Sequence, residues 1–253
     1  MIDNAKLMTQ AMMLRQKLGE DNSSPIDVFA LVQNIEGLTI VYYPMGGTVS
    51  GFCVKTPTGI KLIAVNSGMT MGRQRFSLAH ELYHLYFDDN TFSACSKKID
   101  TGKEIERSAD MFASYFLMPD VSLQLMARQL LDKHPGNELS LSDVVRIEQY
   151  FGVSHQATIY RLVKALLITE ETGRNYRCKA VRSIANSLGY SSDLYQPSPK
   201  AKQYMTYGYY IGQAETVQEH NLVSTGKCEN LLMDAFRSDL VYGEEGEDGD
   251  LID

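Results

Sequence analysis

Apolar and polar positions along the chain fall into two regimes, a short β-type stretch embedded between long segments of helical period. Residues 4 to 19 repeat their apolar positions at helical spacing. A second short helix is announced by Ser24-Pro25, a capping residue followed by proline in the first turn, and is closed by Gly37. Three runs rich in β-branched and aromatic residues follow, Leu38 to Tyr43, Val49 to Lys55 and Lys61 to Val65, separated by Gly46-Gly47 and by Thr56-Pro57-Thr58-Gly59. They predict a three-stranded antiparallel meander. Beyond it the pattern is helical over residues 72–87, 103–117, 120–133, 142–150 and 154–167, with Pro119 separating two of these because proline cannot continue a helix from within. Past Gly173 three more helices are expected, near 177–188, 198–219 and 225–238. The pattern as a whole predicts an α+β fold, a small antiparallel sheet packed with helices and followed by a mainly helical C-terminal region. Glu170-Glu171-Thr172-Gly173 is the one soft break, so the expected division is a domain over 1–170 and a helical region over 171–243.

Composition narrows the class. The 253 residues are 44% hydrophobic, enough for a substantial core, and no stretch approaches the roughly 20 apolar residues that span a bilayer. The first twenty residues mix charge with methionine instead of presenting an apolar signal core, which leads to the expectation of a cytoplasmic protein. Cys53, Cys95, Cys178 and Cys228 are widely spaced and form no CxxC pair, so they read as buried small hydrophobes and not as a disulfide framework or a cysteine zinc site. The formal charge of -7 disfavours a protein devoted to gripping phosphate backbones. Six of the acids lie in the last ten residues, EEGEDGDLID, a tail too polar and glycine-rich to bury much and expected to be disordered.

One helix carries candidate chemistry. His80-Glu81-Leu82-Tyr83-His84 is an HExxH motif inside the run Arg75 to Phe87. Side chains four residues apart sit one above the other on a helix, so the two imidazoles can converge on one metal ion, while Glu81 lies where its carboxylate can work on a water held there. Leu78, Leu82 and Leu85 fall on the side opposite the histidines and Phe76 and Phe87 flank them, making the helix apolar nearly all round. Such a helix is normally buried, and a buried histidine pair needs partners. Catalytic zinc usually has three protein ligands, so a third is required downstream. Glu106 supplies one on the next helix, where Glu106, Asp110, Ala113 and Leu117 share a stripe; Glu104 and Asp110 are the alternatives. Asp110, one turn beyond Glu106, is placed to accept the free N–H of a ligating histidine.

Taken together, Arg75-Phe76-Ser77-Leu78-Ala79-His80-Glu81-Leu82-Tyr83-His84, Glu106-Arg107-Ser108-Ala109-Asp110-Met111-Phe112-Ala113 and Leu117-Met118-Pro119 resemble the ImmA/IrrE family of metallopeptidases, whose pattern is RFxLAHELxH followed by ExxAnxFAxxLLMP. The likeness is best over residues 30 to 120. Asp110 stands where that family more often has Asn, and Phe116 replaces the first Leu of LLMP. The resemblance implies a minimal zincin-like fold, zinc (with Mn2+ as a possible activating metal) bound by His80, His84 and Glu106, and Glu81 as catalytic base. It also implies proteolysis of a helix-turn-helix repressor, and so transcription regulation in a mobile element, prophage or stress response. The sequence does not choose among Tyr83, Tyr86, Tyr115 and His134 as stabiliser of the tetrahedral oxyanion.

Residues 140–168 read as helix, Gly-Val-Ser turn, helix, the second helix carrying His155, Gln156, Thr158, Arg161 and Lys164. The favoured reading is a helical hairpin packed on the core, since two bases are weak attraction for phosphates; direct DNA binding is the less favoured one. The principal rival to an enzyme is a zinc-stabilised regulator or toxin-antitoxin component that binds DNA or protein without catalysis. Hydrolysis of a small substrate by the same site is a third reading.

Overall fold

The computed structural model describes residues 2–46, 48–96, 98–99, 102–134 and 138–243; the acidic tail over 244–253 lies outside them. Its fold is α+β. Helix α1, Asn4–Lys17, is capped by the Asp3 side chain, which accepts the Lys6 N–H at 3.0 Å. Helix α2 is shorter than its sequence pattern suggests, Val28–Gln33, and its cap is Asp27 in place of Ser24. Arg15 is the reason. Its guanidinium, 1% exposed, donates to the carbonyls of Asp21, Ser24 and Phe116, so the segment before α2 wraps the charge instead of starting a helix.

The sheet corrects the expected meander. Strands β1 (Leu38–Tyr43), β2 (Val49–Lys55), β3 (Lys61–Asn66), β4 (Phe92–Ser96) and β5 (Met205–Gly208) form one mixed sheet in the order β4-β2-β3-β1-β5. Only β2 and β3 make the predicted hairpin. β1 runs parallel to β3, Ile40 opposite Ile63, with β2 on the far side of β3. Strand-forming composition marks which residues extend but not which neighbours they take; the burial of Leu38, Thr39, Ile40 and Tyr42 shows that β1 is an inner strand and not an edge. Strand β5 replaces part of the helix expected over 198–219. Thr206 and Tyr207 suit an extended half-buried strand as well as a helix, and Tyr207 packs edge-on against Tyr42 of β1 at 5.9 Å.

Helices α3 (Met71–Phe87), α4 (Glu104–Leu117), α5 (Asp120–Leu131), α6 (Leu141–Phe151) and α7 (His155–Lys164) follow the predicted spans closely. α3 packs on the sheet with α4 against it, and Phe76, Leu78, Ala79, Leu82, Phe112, Ala113, Phe116 and Leu117 are sealed in the core. Close approach at the start of α3 needs Gly72, where a Cβ would stand 2.8 Å from the Ser154 backbone nitrogen. The remaining helices are α8 (Glu170–Arg177), α9 (Arg182–Ser187), α10 (Tyr209–Glu219), α11 (Thr225–Asp234) and α12 (Ser238–Tyr242). α10 and α11 bury a small separate cluster around Ile211, Ala214, Cys228 and Leu232. Through β5, and through the Ser67 hydroxyl donating to the Gln203 carbonyl at 2.6 Å, this region is joined to the first half of the chain.

Candidate metal centre

His80 and His84 lie one turn apart on the face of α3 that meets α4, with their Nε2 atoms 3.2 Å from each other. Glu106, in the first turn of α4, closes the group: Oε2 is 3.4 Å from His80 Nε2 and Oε1 is 3.6 Å from His84 Nε2. Nitrogen and oxygen donors about 2.0–2.1 Å from a tetrahedral ion stand about 3.3 Å from each other, so the three side chains fit a metal as they are. Each ring turns its other nitrogen to a carboxylate. Asp110 Oδ1 is 2.9 Å from His80 Nδ1, and Asp88 Oδ2 is 2.8 Å from His84 Nδ1. Such bonds fix the tautomer that presents Nε2 to a metal and raise the basicity of the ring. Asp88, the residue that ends α3, was not anticipated, although its spacing four residues after His84 was a signal.

A fourth potential donor arrives from β4. The buried Cys95 thiol has its sulfur within 4.8 Å of the donor atoms of His80, His84 and Glu106. The expectation that the cysteines are buried hydrophobes describes the burial of Cys53, Cys95 and Cys228, but Cys178 is exposed and Cys95 lies among chemical groups. Nothing in its spacing announced this, because Cys95 stands on a strand that the sequence pattern did not disclose.

Glu81 is fully buried, and among the described residues its carboxylate oxygens have the Cys95 thiol as neighbour but no oxygen or nitrogen hydrogen-bond partner. A buried carboxylate left this way is costly unless something outside the chain satisfies it. Burial pushes its pKa up to about 7, against the lowering influence of His80, Cys95 and Arg73. Gly51 on β2 makes room for it: a Cβ there would lie 3.1 Å from Glu81 Oε1 and 2.9 Å from the Ala64 carbonyl oxygen. Burial disfavours the charged form of His80, but Cys95, Asp110 and Glu106 outweigh it and hold its pKa well above the ordinary value. Burial and the neighbouring His80 lower that of His84. Glu106 loses water contact too, yet the two histidines keep its pKa below the usual range. The carboxylates around the cluster thus favour positive charge at His80, the electrostatic setting that a divalent ion would exploit more fully.

A cleft of about 550 Å³ reaches His80 and Glu106 and is bordered also by Asp110, Asn90, Phe92, Ser93 and Lys98. Residues 34–163, about half of the chain, match the family model of the IrrE N-terminal-like domain, Peptidase M78. The chain belongs to the ImmA/IrrE family of metallopeptidases. No curated protein matches it at a significant level.

The M78 match runs from the approach to β1 through α7, so it takes in four of the five strands and every group of the metal cluster. Residues of the family pattern that do no chemistry here do packing. Arg75 donates to the Ile26 carbonyl and pairs with Asp27 at 3.2 Å, Ala79 and Ala113 let α3 and α4 approach, and Pro119 begins α5. None of the four side chains considered as oxyanion stabilisers borders the cleft. Tyr83 packs against the ring of His84 at 5.8 Å, Lys17 lies over Tyr86, Arg161 over Tyr115, and His134 sits 2.6 Å from Asp143. On α7 of the M78 domain, His155, Thr158 and Arg161 are buried. His155 bonds Glu148 and the Tyr176 carbonyl, and Arg161 bonds Asp120 at 2.7 Å. These side chains are committed to packing α7 against the core, which leaves Gln156 and Lys164 as its exposed polar positions. Among the described residues, no helix is long and apolar enough to cross a membrane.

Proposed function

We propose that the protein is a zinc-dependent endopeptidase, with His80, His84 and Glu106 as metal ligands, Glu81 as general base, and Asp110 and Asp88 orienting the two imidazoles. The observation that carries this reading is the juxtaposition of three convergent donors with a buried carboxylate one residue from the first of them. A divalent ion bound there would polarise a peptide carbonyl and acidify a water. Glu81, with a pKa near 7, takes the proton of the attacking water and returns it to the leaving nitrogen. Strand β4 is an edge of the sheet and borders the cleft, so an extended peptide can align by adding to it, backbone to backbone, with its scissile bond over the metal ligands.

Following the family resemblance, the substrate is a helix-turn-helix repressor, and its cleavage switches transcription. The test is to incubate zinc-loaded protein with the repressor encoded beside its gene and to follow intact masses. Two fragments from one cut are expected, and none after chelation. An intact repressor sinks the substrate assignment, and failure to hydrolyse any polypeptide sinks the enzyme. The second reading, a metal-stabilised regulator without catalysis, is favoured by one observation: Cys95 gives the cluster a fourth donor, as in closed structural sites. That reading requires a thermal stability that depends on metal together with no hydrolysis.

A further inference from the structure

The family pattern supplies three donors, and the fold delivers one more. Cys95 and Ser93 point to the inner face of β4 while Phe92 and Ala94 point outward and are exposed. Opposite Cys95, β2 carries an irregularity: Val49 pairs with Ser96 and Gly51 with Cys95, leaving Ser50 as an extra residue between them. A bulge of this kind re-aims a strand side chain. The Ser50 hydroxyl reaches the Cys95 carbonyl at 3.4 Å, and the Ser93 hydroxyl lies 3.6 Å from the Cys95 sulfur, where it can donate to a thiolate. The residue paired with Cys95 is Gly51, the same glycine that clears space for Glu81. The sulfur therefore lies within 4.8 Å of the donor atoms of the two histidines and Glu106, beside the buried Glu81 carboxylate.

We propose that Cys95 is a fourth protein ligand of the metal and that it holds the centre closed at rest. The proposal rests on the metallopeptidase reading of the same site. Zinc with four protein donors has the complement of a closed site, whereas catalysis needs one position for water. On binding a metal, the Cys95 thiol would pass its proton to the neighbouring Glu81 carboxylate and from there to solvent, and a sulfur taken back as the thiol would leave one position for water. Until then Glu81 has no water to activate. The latch sits on the strand that borders the cleft, so a peptide adding to β4 acts directly on the residue next to its own path.

The experiment uses the full chain loaded with Co2+ in place of zinc. The wild type is expected to show the near-ultraviolet thiolate-to-cobalt charge-transfer band. C95S and C95A are expected to lose it while still binding cobalt, and C53S, which alters the other buried cysteine near Glu81, is expected to keep it. Because loss of even an outer partner of a ligand weakens metal binding about 10–100-fold, C95S should weaken zinc at least about tenfold. At saturating zinc, C95A should cleave a protein substrate severalfold faster than wild type. A wild-type protein that binds cobalt without the band, or a band that survives in C95S and C95A, overturns the ligand assignment. An unchanged or slower rate in C95A with the band lost overturns the latch. Cobalt binding that is unaffected by H80A locates the metal elsewhere and overturns the metal centre itself, an outcome distinct from the others.

Discussion

Asp110 provides the sharpest single-residue test of how the centre is held together. Its Oδ1 accepts from His80 Nδ1 at 2.9 Å, and the two residues are 3% and 5% exposed, so removing the carboxylate takes away the positioned acceptor that a water entering from the cleft would replace only in part. D110A leaves a buried ring N–H without that acceptor, at a cost of about 1–3 kcal/mol, and frees the ring to rotate Nε2 away from His84 and Glu106. Read through RT, that cost is about 5- to 150-fold in zinc affinity. D110N retains an oxygen in place and loses only the charge, so its affinity falls between wild type and D110A. The assay is competition of each protein against a chromophoric zinc chelator at fixed pH, with thermal melting of the metal-free proteins run in parallel to separate loss of fold from loss of ligand geometry. D110A binding zinc as tightly as wild type, or D110N binding more weakly than D110A, refutes the orienting role.

Other outcomes follow from the same structure. Gly51→Ala must move either β3 or Glu81, and should cost about 1–3 kcal/mol of stability together with most of the peptidase activity; full activity in a folded G51A protein contradicts the close approach. Asp143 is buried, but bonds from the Ser140 backbone N–H, the Ser140 hydroxyl and His134 hold its pKa below the ordinary 3.8. Its contribution is therefore complete above 3.8 and lost as the pH falls through the lower folded value, so denaturant melts should show D143A about 1 kcal/mol less stable than wild type near neutrality, with the gap closing in acid. Arg161→Ala should lower stability by about 2 kcal/mol, with Asp120 rehydrating in part, while Lys164→Ala, which loses an exposed cation–π contact with Tyr160, costs only about 0.5–1 kcal/mol; salt-dependent DNA binding abolished by both would instead revive a groove-reading helix. Deleting residues 171–253 strips β5 from β1 and should yield a less stable protein by thermal melting, independent of any effect on cleavage.

How much of this was legible depends on whether the information was local. Helical period placed α3 to α7 within a few residues, and the i, i+4 spacing of His80 and His84 placed two donors on one face, because a helix converts sequence distance directly into geometry. Glu106 and Asp110 were accessible by the same rule on a second helix, given that the two helices pack. Strand order was not local. The runs that became β1, β2 and β3 were identified, but the parallel pairing of β1 with β3 depends on the path of the loop between β1 and β2, which composition does not encode. Two strands were missed for different reasons. β5 is only four residues, Met205–Gly208, inside an otherwise helical period, and β4 is only five residues whose outward positions, Phe92 and Ala94, break the usual burial pattern. Missing β4 hid Cys95, which stands eleven residues from both His84 and Glu106 and joins them only through the pairing of β4 with β2. The cap of α2 failed for a tertiary reason, since Ser24 serves the buried Arg15.

The central claim is that the cluster on α3 and α4 is a metal-dependent catalyst in which Glu81 does the proton transfer. The most direct measurement compares wild type with Glu81→Gln for bound metal and for cleavage of the same repressor. One equivalent of zinc in both proteins, with fragments produced by the wild type alone, is the predicted result. Undiminished cleavage by E81Q contradicts the account.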